Sequence, residues 1–313
     1  MVTRRHAIGA VALGLAVASA SFNPATAQDW KARYPELTFA VIPAENASGT
    51  TDRYTPMAEY LGKELGVPVK LRVANDYAAV IEGQRAGNIH IAFYGPASFA
   101  RAVITGVKTE PLVNQKHETG VNGYYSVTFV RADSAYKTLQ DLKGKTLALV
   151  DPNSTSGNQA PRFFMRRAGV DVDTFFGRTF FAGSHENAVL ALSQGTADAA
   201  ANAWNSDTDS NLTRMVAKGL VKEQSGKVLT KDDFRIVFKS DFLPESPLAV
   251  LDSVPSELKA AIRQALIDMP TKNKTAFDKL SDGKDLEFVP TTLKDYQPII
   301  DMVRFNDEQR KRS

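Results

Sequence analysis

The stretch Leu147–Gly169, LALVDPNSTSGNQAPRFFMRRAG, decides how the chain is read. Leu147 to Val150 predict a buried strand and Asp151-Pro152-Asn153 a sharp turn. Phe163, Phe164 and Ala168 mark one face of a helix that Gly169 closes. Between strand and helix stand Ser154, Thr155, Ser156 and Gly157. A helix start leaves backbone N–H groups unpaired and carries partial positive charge, so three hydroxyls there suit an anion rich in acceptor oxygens. The same residue types also serve as helix caps, and the loop alone leaves both readings open.

Outward from this stretch, strands alternate with single helices. Upstream, Leu37–Ile42 predicts a strand, 44–51 a polar loop, and Tyr54, Met57, Ala58, Leu61 and Leu65 a helical face stopped by Gly66. A strand at 67–73, a helix from Tyr77 capped by Asn75-Asp76, a strand at 89–93 and a helix opened by Pro96 continue the pattern. Val127–Val130 predicts an extended crossing segment. Downstream follow strands at 179–182, 197–202 and 234–238, a helix after Ser184-His185-Glu186, and another starting at Asp207 or Thr208. From Ser256 the pattern is helical, with a last helix over 293–304, and these helices are expected to pack back on the first lobe. The alternation predicts an α/β protein built as parallel βαβ units in two lobes, residues 28–126 with 243–313 and residues 127–242. Two crossing segments suit closure around a ligand in an interlobe cleft.

Parallel strands bring successive loops to one sheet edge, so His185, whose imidazole can donate one or two N–H groups, is expected near the Ser154 loop. Glu186 reads as a helix-start carboxylate or as an orienter of His185. Tyr77, Tyr94 and Tyr124 mark corresponding places in the other lobe, where phenolic hydroxyls can donate to a small ligand; packing is the alternative, and it is preferred for Tyr125. No G-x-S-x-G elbow, H-E-x-x-H or G-x-x-x-x-G-K loop is present, and a Ser154/His185/Asp151 hydrolase lacks an ordered triad. Binding without turnover, with no cofactor or metal, is the simpler account.

Residues 1–27 read as a signal peptide: Arg4-Arg5, an apolar stretch from Ala7 to Ala20, and Ala25-Thr26-Ala27 as a cleavage site. Thr3-Arg4-Arg5 gives a poor twin-arginine match, so ordinary secretion is preferred. No cysteine exists, which excludes disulfides, thiolate sites and a lipid-anchored cysteine. Removing Arg4 and Arg5, and no acid, takes the formal charge from +3 to +1; such a balance argues against a nucleic-acid partner. Beyond the signal no apolar run reaches the roughly 20 residues of a membrane helix. A free periplasmic protein fits.

Asp76-Tyr77, Phe93-Tyr94-Gly95, Gly123-Tyr124-Tyr125-Ser126, Asp151-Pro152-Asn153-Ser154-Thr155-Ser156-Gly157 and Gly183-Ser184-His185-Glu186-x-Ala188 occur in this order. Together they resemble the periplasmic phosphonate-binding proteins of ABC importers over essentially the whole mature chain. The resemblance implies a type II periplasmic-binding fold, an ABC permease as partner, and Tyr77, Tyr124, Ser154, Thr155, Ser156 and His185 around the phosphonate oxygens. Members that favour 2-aminoethylphosphonate hold its ammonium with two carboxylates. Counting places Asn205 and Ser246 there, neither charged, with Asp207 near enough to substitute, so the resemblance implies an alkyl- or aminoalkylphosphonate receptor. The alternatives are another oxyanion (phosphite, phosphate or a sulfonate) or a secreted phosphoesterase.

Overall fold

A computed structural model describes residues 30–312; the segment read as a signal peptide lies outside them. Two sheets share one plan. In the first, β1 (Leu37–Val41) lies between β2 (Val69–Val73) and β3 (Ile91–Phe93), all parallel. The connecting helices are α1 (Ala47–Leu65) and α2 (Tyr77–Arg85), and α3 (Pro96–Ile104) follows β3. In the second, β6 (Thr146–Leu149) lies between β7 (Arg178–Phe181) and β8 (Ala199–Ser206), again parallel, with α4 (Ala160–Arg167) and α5 (His185–Ser193) as connections. Every strand-to-helix loop of both triplets therefore opens at a carboxyl end, where ligands gather in α/β sheets.

Antiparallel strands complete each sheet and carry the chain between them. β4 (Thr109–His117) belongs to the first sheet, and β5 (Gly123–Arg131) pairs with β8 in the second. β10 (Phe234–Lys239) pairs with β5, the two-residue β11 (Leu243–Pro244) pairs with the start of β5, and β12 (Leu248–Leu251) re-enters the first sheet between β3 and β4. The chain passes between the sheets over 118–122 and 240–247; Val127–Val130, expected as a crossing segment, lies within β5 of the second sheet.

Four expectations are corrected. The 44–51 segment is not all loop: Asn46 caps α1, its Oδ1 accepting from the Gly49 amide at 2.9 Å, so the helix begins at Ala47. β8 runs on to Ser206 and turns back through β9 (Asp209–Ser210). The next helix, α6 (Asn211–Ala217), therefore starts after the Ser210 cap rather than at Asp207 or Thr208. The carboxy-terminal region is not purely helical either: after α7 (Ser256–Lys272) and α8 (Lys274–Asp278), β13 (Asp285–Pro290) pairs antiparallel with β4, setting Asp285 opposite His117. The last helix, α9 (Gln297–Arg312), is longer than expected. It also reaches beyond the first lobe, since Ile299, Ile300, Met302 and Val303 pack with Ala97 and Ala100 of α3 and with Ala160 of α4.

One apolar cluster belongs to the first sheet and runs on to one face of the second, with Ala148, Val189 and Leu192; the other face of the second sheet has a cluster of its own. Phe39, Met57, Leu61 and Ile91 lie in the first, while Leu147, Leu149, Met165 and Ala199 lie in the second. Burial of apolar area of this kind is the dominant favourable term in folding.

Candidate functional site

Between the carboxyl ends of the two sheets lies a cavity of about 150 Å³. The Ser154 loop forms one wall. Its residues enter a single π-helical turn, Thr155–Gln159, that runs into α4, and such turns recur at functional sites. Ser154 is both cap and lining: its Oγ accepts from the Gly157 amide at 3.1 Å, and Ser154, Thr155 and Ser156 all face the cavity. The two readings of the loop are thus compatible. The turn is tied from three sides. Ser126 Oγ of β5 donates to the Ser156 carbonyl at 2.7 Å, Gln159 Nε2 donates to the Pro152 carbonyl at 2.7 Å, and Asn306 of α9 donates to the Gln159 carbonyl at 2.9 Å.

Tyr77 and Tyr124 face this wall. The Tyr77 hydroxyl lies beside the Ser154 side chain and that of Tyr124 beside Thr155 and Ser156; burial pushes both phenols well above their usual range, so both keep their protons. His185 starts α5 and is buried, with no partner on Nδ1. Burial, reinforced by the Arg214 charge, pushes its pKa down to about 4, leaving a neutral imidazole with one N–H. The assembled groups offer five hydroxyls and one imidazole, a donor set matched to an oxyanion.

The lobes meet around the cavity. Ala97 N donates to Thr155 Oγ1 at 2.8 Å and His185 N to the Ala44 carbonyl at 3.0 Å. Glu186 does not orient His185; its Oε2 accepts from Asn46 N at 2.8 Å and Nδ2 at 2.6 Å, across the cleft.

Asn205 and Ser246 also line the cavity, whereas Tyr94 and Asp207 do not. Side chains alternate along a strand, so Phe93 faces the cleft and Tyr94 turns away, its buried hydroxyl donating to Gln84 Oε1 at 3.1 Å. Asp207 sits at the tip of the β8–β9 turn, exposed, and pairs with Lys231 at 3.1 Å.

Sequence reasoning missed a set of charged lining residues: Glu45, Arg53, His117, Asp209, Arg214, Glu245 and Asp285. Glu45 could have been found, because it follows β1 at the same sheet edge as the other loops. His117 and Asp285 could not, since β4 and β13 were not recognised as strands. Beside the uncharged Asn205 and Ser246 stand two of these carboxylates, Asp209 and Glu245. Among the described residues no group of three or more His, Asp or Glu side chains is placed to hold a metal ion.

His117 lies between Glu245, 3.1 Å from Nε2, and Asp285, 2.9 Å from Nδ1. Burial alone would depress its pKa, but the two carboxylates outweigh burial and hold it up at about 10. Its contribution to stability is complete below about pH 6.5, the ordinary histidine value, and is lost as pH rises toward about 10. His185 acts in the opposite direction, costing stability as pH falls from about 6.5 toward about 4. Thermal stability should therefore fall on both sides of pH 6.5. His117→Gln should flatten the alkaline limb and His185→Gln the acid limb; an alkaline limb unchanged in His117→Gln would refute the ion-pair assignment.

Comparison with known proteins adds an independent line. The family model "ABC transporter, phosphonate, periplasmic substrate-binding protein" matches residues 39–296. The chain is 35% identical to the "Phosphate-import protein PhnD" of Mycolicibacterium smegmatis, over 85% of this chain and 84% of that one. It is 30% identical to the "Phosphonates-binding periplasmic protein" of Escherichia coli, over 87% and 78%. Its fold is similar to the crystal structure of a binding protein component of an ABC phosphonate transporter from Pseudomonas aeruginosa. There the TM-score is 0.74 at 24% identity, covering 87% of each chain.

Proposed function

We propose that this chain, which belongs to the family of periplasmic substrate-binding proteins of phosphonate ABC transporters, captures a small phosphonate between its two lobes and presents it, closed, to a membrane permease. The observation that carries this reading is the donor set itself. Ser154, Thr155 and Ser156 line the cavity with Tyr77 of the other lobe and Tyr124 at the start of β5, and the bare Nδ1 of His185 is buried beside them. Helix-start fields contribute roughly 0.3–2 kcal/mol each, against about 8 kcal/mol for micromolar binding. Direct hydrogen bonds to the charged group, at roughly 1.5–3 kcal/mol each, supply most of it.

Ser156→Ala and His185→Ala are each expected to weaken phosphonate binding at least about tenfold, one such bond exceeding about 1.4 kcal/mol. Calorimetry finding unchanged affinity in both would remove these residues from the site.

Inorganic phosphate is the second reading. It is favoured by the phosphate-import relative and by the Glu245 carboxylate, whose charge is felt at the Tyr124 hydroxyl and which can accept from a P–OH group. A thermal-shift panel of methyl-, ethyl- and 2-aminoethylphosphonate, phosphite, phosphate and taurine tests both, because a ligand that binds only the folded state raises the melting temperature by mass action. Stabilisation by taurine alone would overturn the phosphorus-oxyanion reading. Turnover of p-nitrophenyl phosphate would point instead to a phosphoesterase. Among the described residues no helix is long and apolar enough to cross a membrane. Export with cleavage after Ala27, and function as a periplasmic monomer, complete the reading; the amino terminus and mass of the mature protein check them.

A further inference from the structure

The cavity wall beside the hydroxyl socket is ionic, and the two are joined. Tyr124, whose hydroxyl lies beside Thr155 and Ser156, also feels the Glu245 charge, and Glu245 contacts His117 at 3.1 Å. A group carried on phosphorus and turned away from the socket therefore meets the carboxylates of Glu45, Asp209, Glu245 and Asp285. Buried carboxylates attract an ammonium group, but here each already lies against a cation of the protein. Glu245 Oε1 takes the Ser246 amide at 2.7 Å and Oε2 takes His117. Asp285 lies 2.9 Å from His117 through Oδ1 and accepts from Gln115 through Oδ2. Asp209 takes Arg214 at 2.6 Å on one oxygen and Asn205 at 2.6 Å on the other. Glu45 is held by Arg53 at 3.0 Å and 3.3 Å.

We propose that His117 is a specificity-determining residue: held between Glu245 and Asp285, it supplies the protein's own cation where a ligand's ammonium would otherwise lie, so the receptor prefers phosphonates whose substituent is uncharged. The inference rests on the phosphonate reading above and names the subclass. An incoming ammonium would find each carboxylate already neutralised by an internal cation and would face an imidazolium of like charge. Size does not enter, because an amine and a hydroxyl on the same two-carbon arm are nearly isosteric. A hydroxyl can donate to and accept from the same wall without bringing charge into it. The high pKa of His117 agrees with a resident cation across the physiological range.

The test compares 2-hydroxyethylphosphonate with 2-aminoethylphosphonate by calorimetry near pH 7. The wild type is expected to bind the hydroxyl compound at least about tenfold more tightly, and His117→Gln, which frees both carboxylates of an internal cation, should shift that ratio at least about tenfold toward the amine. Equal or tighter binding of the amine by the wild type overturns the proposal, and this arm needs no variant to fold. An unchanged ratio in folded His117→Gln overturns it as well. Failure of methylphosphonate, phosphate and both test compounds alike to bind the wild type would instead overturn the ligand reading itself, and this inference with it.

Discussion

Gly157→Ala is expected to lower phosphonate affinity by more than about a hundredfold, well beyond the loss of one hydroxyl, because it displaces the whole socket. An added Cβ would lie 2.3 Å from both Cβ and Cγ2 of Val150 and 2.8 Å from Ser154 Oγ. Neither neighbour can yield easily. Val150 is fully buried and β-branched, with a stiff χ1, and its amide donates to the Gly157 carbonyl at 3.0 Å. Ser154 is held as the cap of the turn. Overpacking of this kind costs about 1–3 kcal/mol in stability. The larger effect is geometric, since Ser154, Thr155 and Ser156 must each reach the same oxyanion, and losing two hydrogen bonds to a charged group at roughly 1.5–3 kcal/mol each exceeds a hundredfold. Gly49→Ala is the control: its Cβ contacts would be ordinary, at 3.5 Å and beyond, and in a helix alanine is favoured by about 0.8–1.0 kcal/mol. Calorimetry on both variants decides it, and a Gly157→Ala protein binding within threefold of wild type would show that the turn yields without moving the hydroxyls.

Such a tight turn was legible in the sequence only in part. The short apolar runs at Leu37–Val41 and Leu147–Val150 announced themselves as buried parallel strands because both of their faces are covered. β4 and β13 did not, because TEPLVNQKH and DLEFVP mix charge, proline and apolar residues; β13 is an edge strand that exposes several positions. The hydroxyls at the helix start were ambiguous by themselves, since Ser and Thr there are also caps, as Ser154 is; only His185 due at the same sheet edge and the tyrosines opposite made them candidates for a site. The ionic wall was not legible: Glu45, His117, Asp209, Glu245 and Asp285 come from separate segments, and only a register such as Asp285 opposite His117 brings them together. Counting along the chain reached Asn205 and Ser246, but it could not foresee that the β8–β9 hairpin would fold Asp209 back beside Asn205. Tyr94 shows the complementary failure. Its motif placed it at the correct strand end, and strand alternation turned its side chain to Gln84 instead.

The same dependence on distant segments makes Arg53 the residue whose loss should cost the fold most. Its guanidinium sits on α1, 7% exposed, contacting Glu45 at 3.0 Å and donating to the Leu280 carbonyl at 2.6 Å. Burial opposes its charge, and Glu45, Tyr54 and Asp282 outweigh that, so its pKa is raised and it is always a cation. Arg53→Ala would orphan the buried Glu45 carboxylate and a carbonyl in the segment leading to β13. Breaking a buried pair by removing one partner costs about 3–5 kcal/mol, and Arg214, 3.5 Å from Glu45, offsets part of that. A loss of about 3 kcal/mol in denaturant unfolding is the expected result. Arg53→Lys should rescue little, because an ammonium is a point charge that cannot reproduce the guanidinium fork. The pairing with Glu45 is separable from the anchoring of Leu280: Arg53→Ala combined with Glu45→Ala removes the orphaned charge, so the double variant should be more stable than the two single losses predict, by about 1–3 kcal/mol. Strict additivity would mean that Arg53 acts through the carbonyl alone, and that Glu45 is held in the cleft by Arg214 across the lobes.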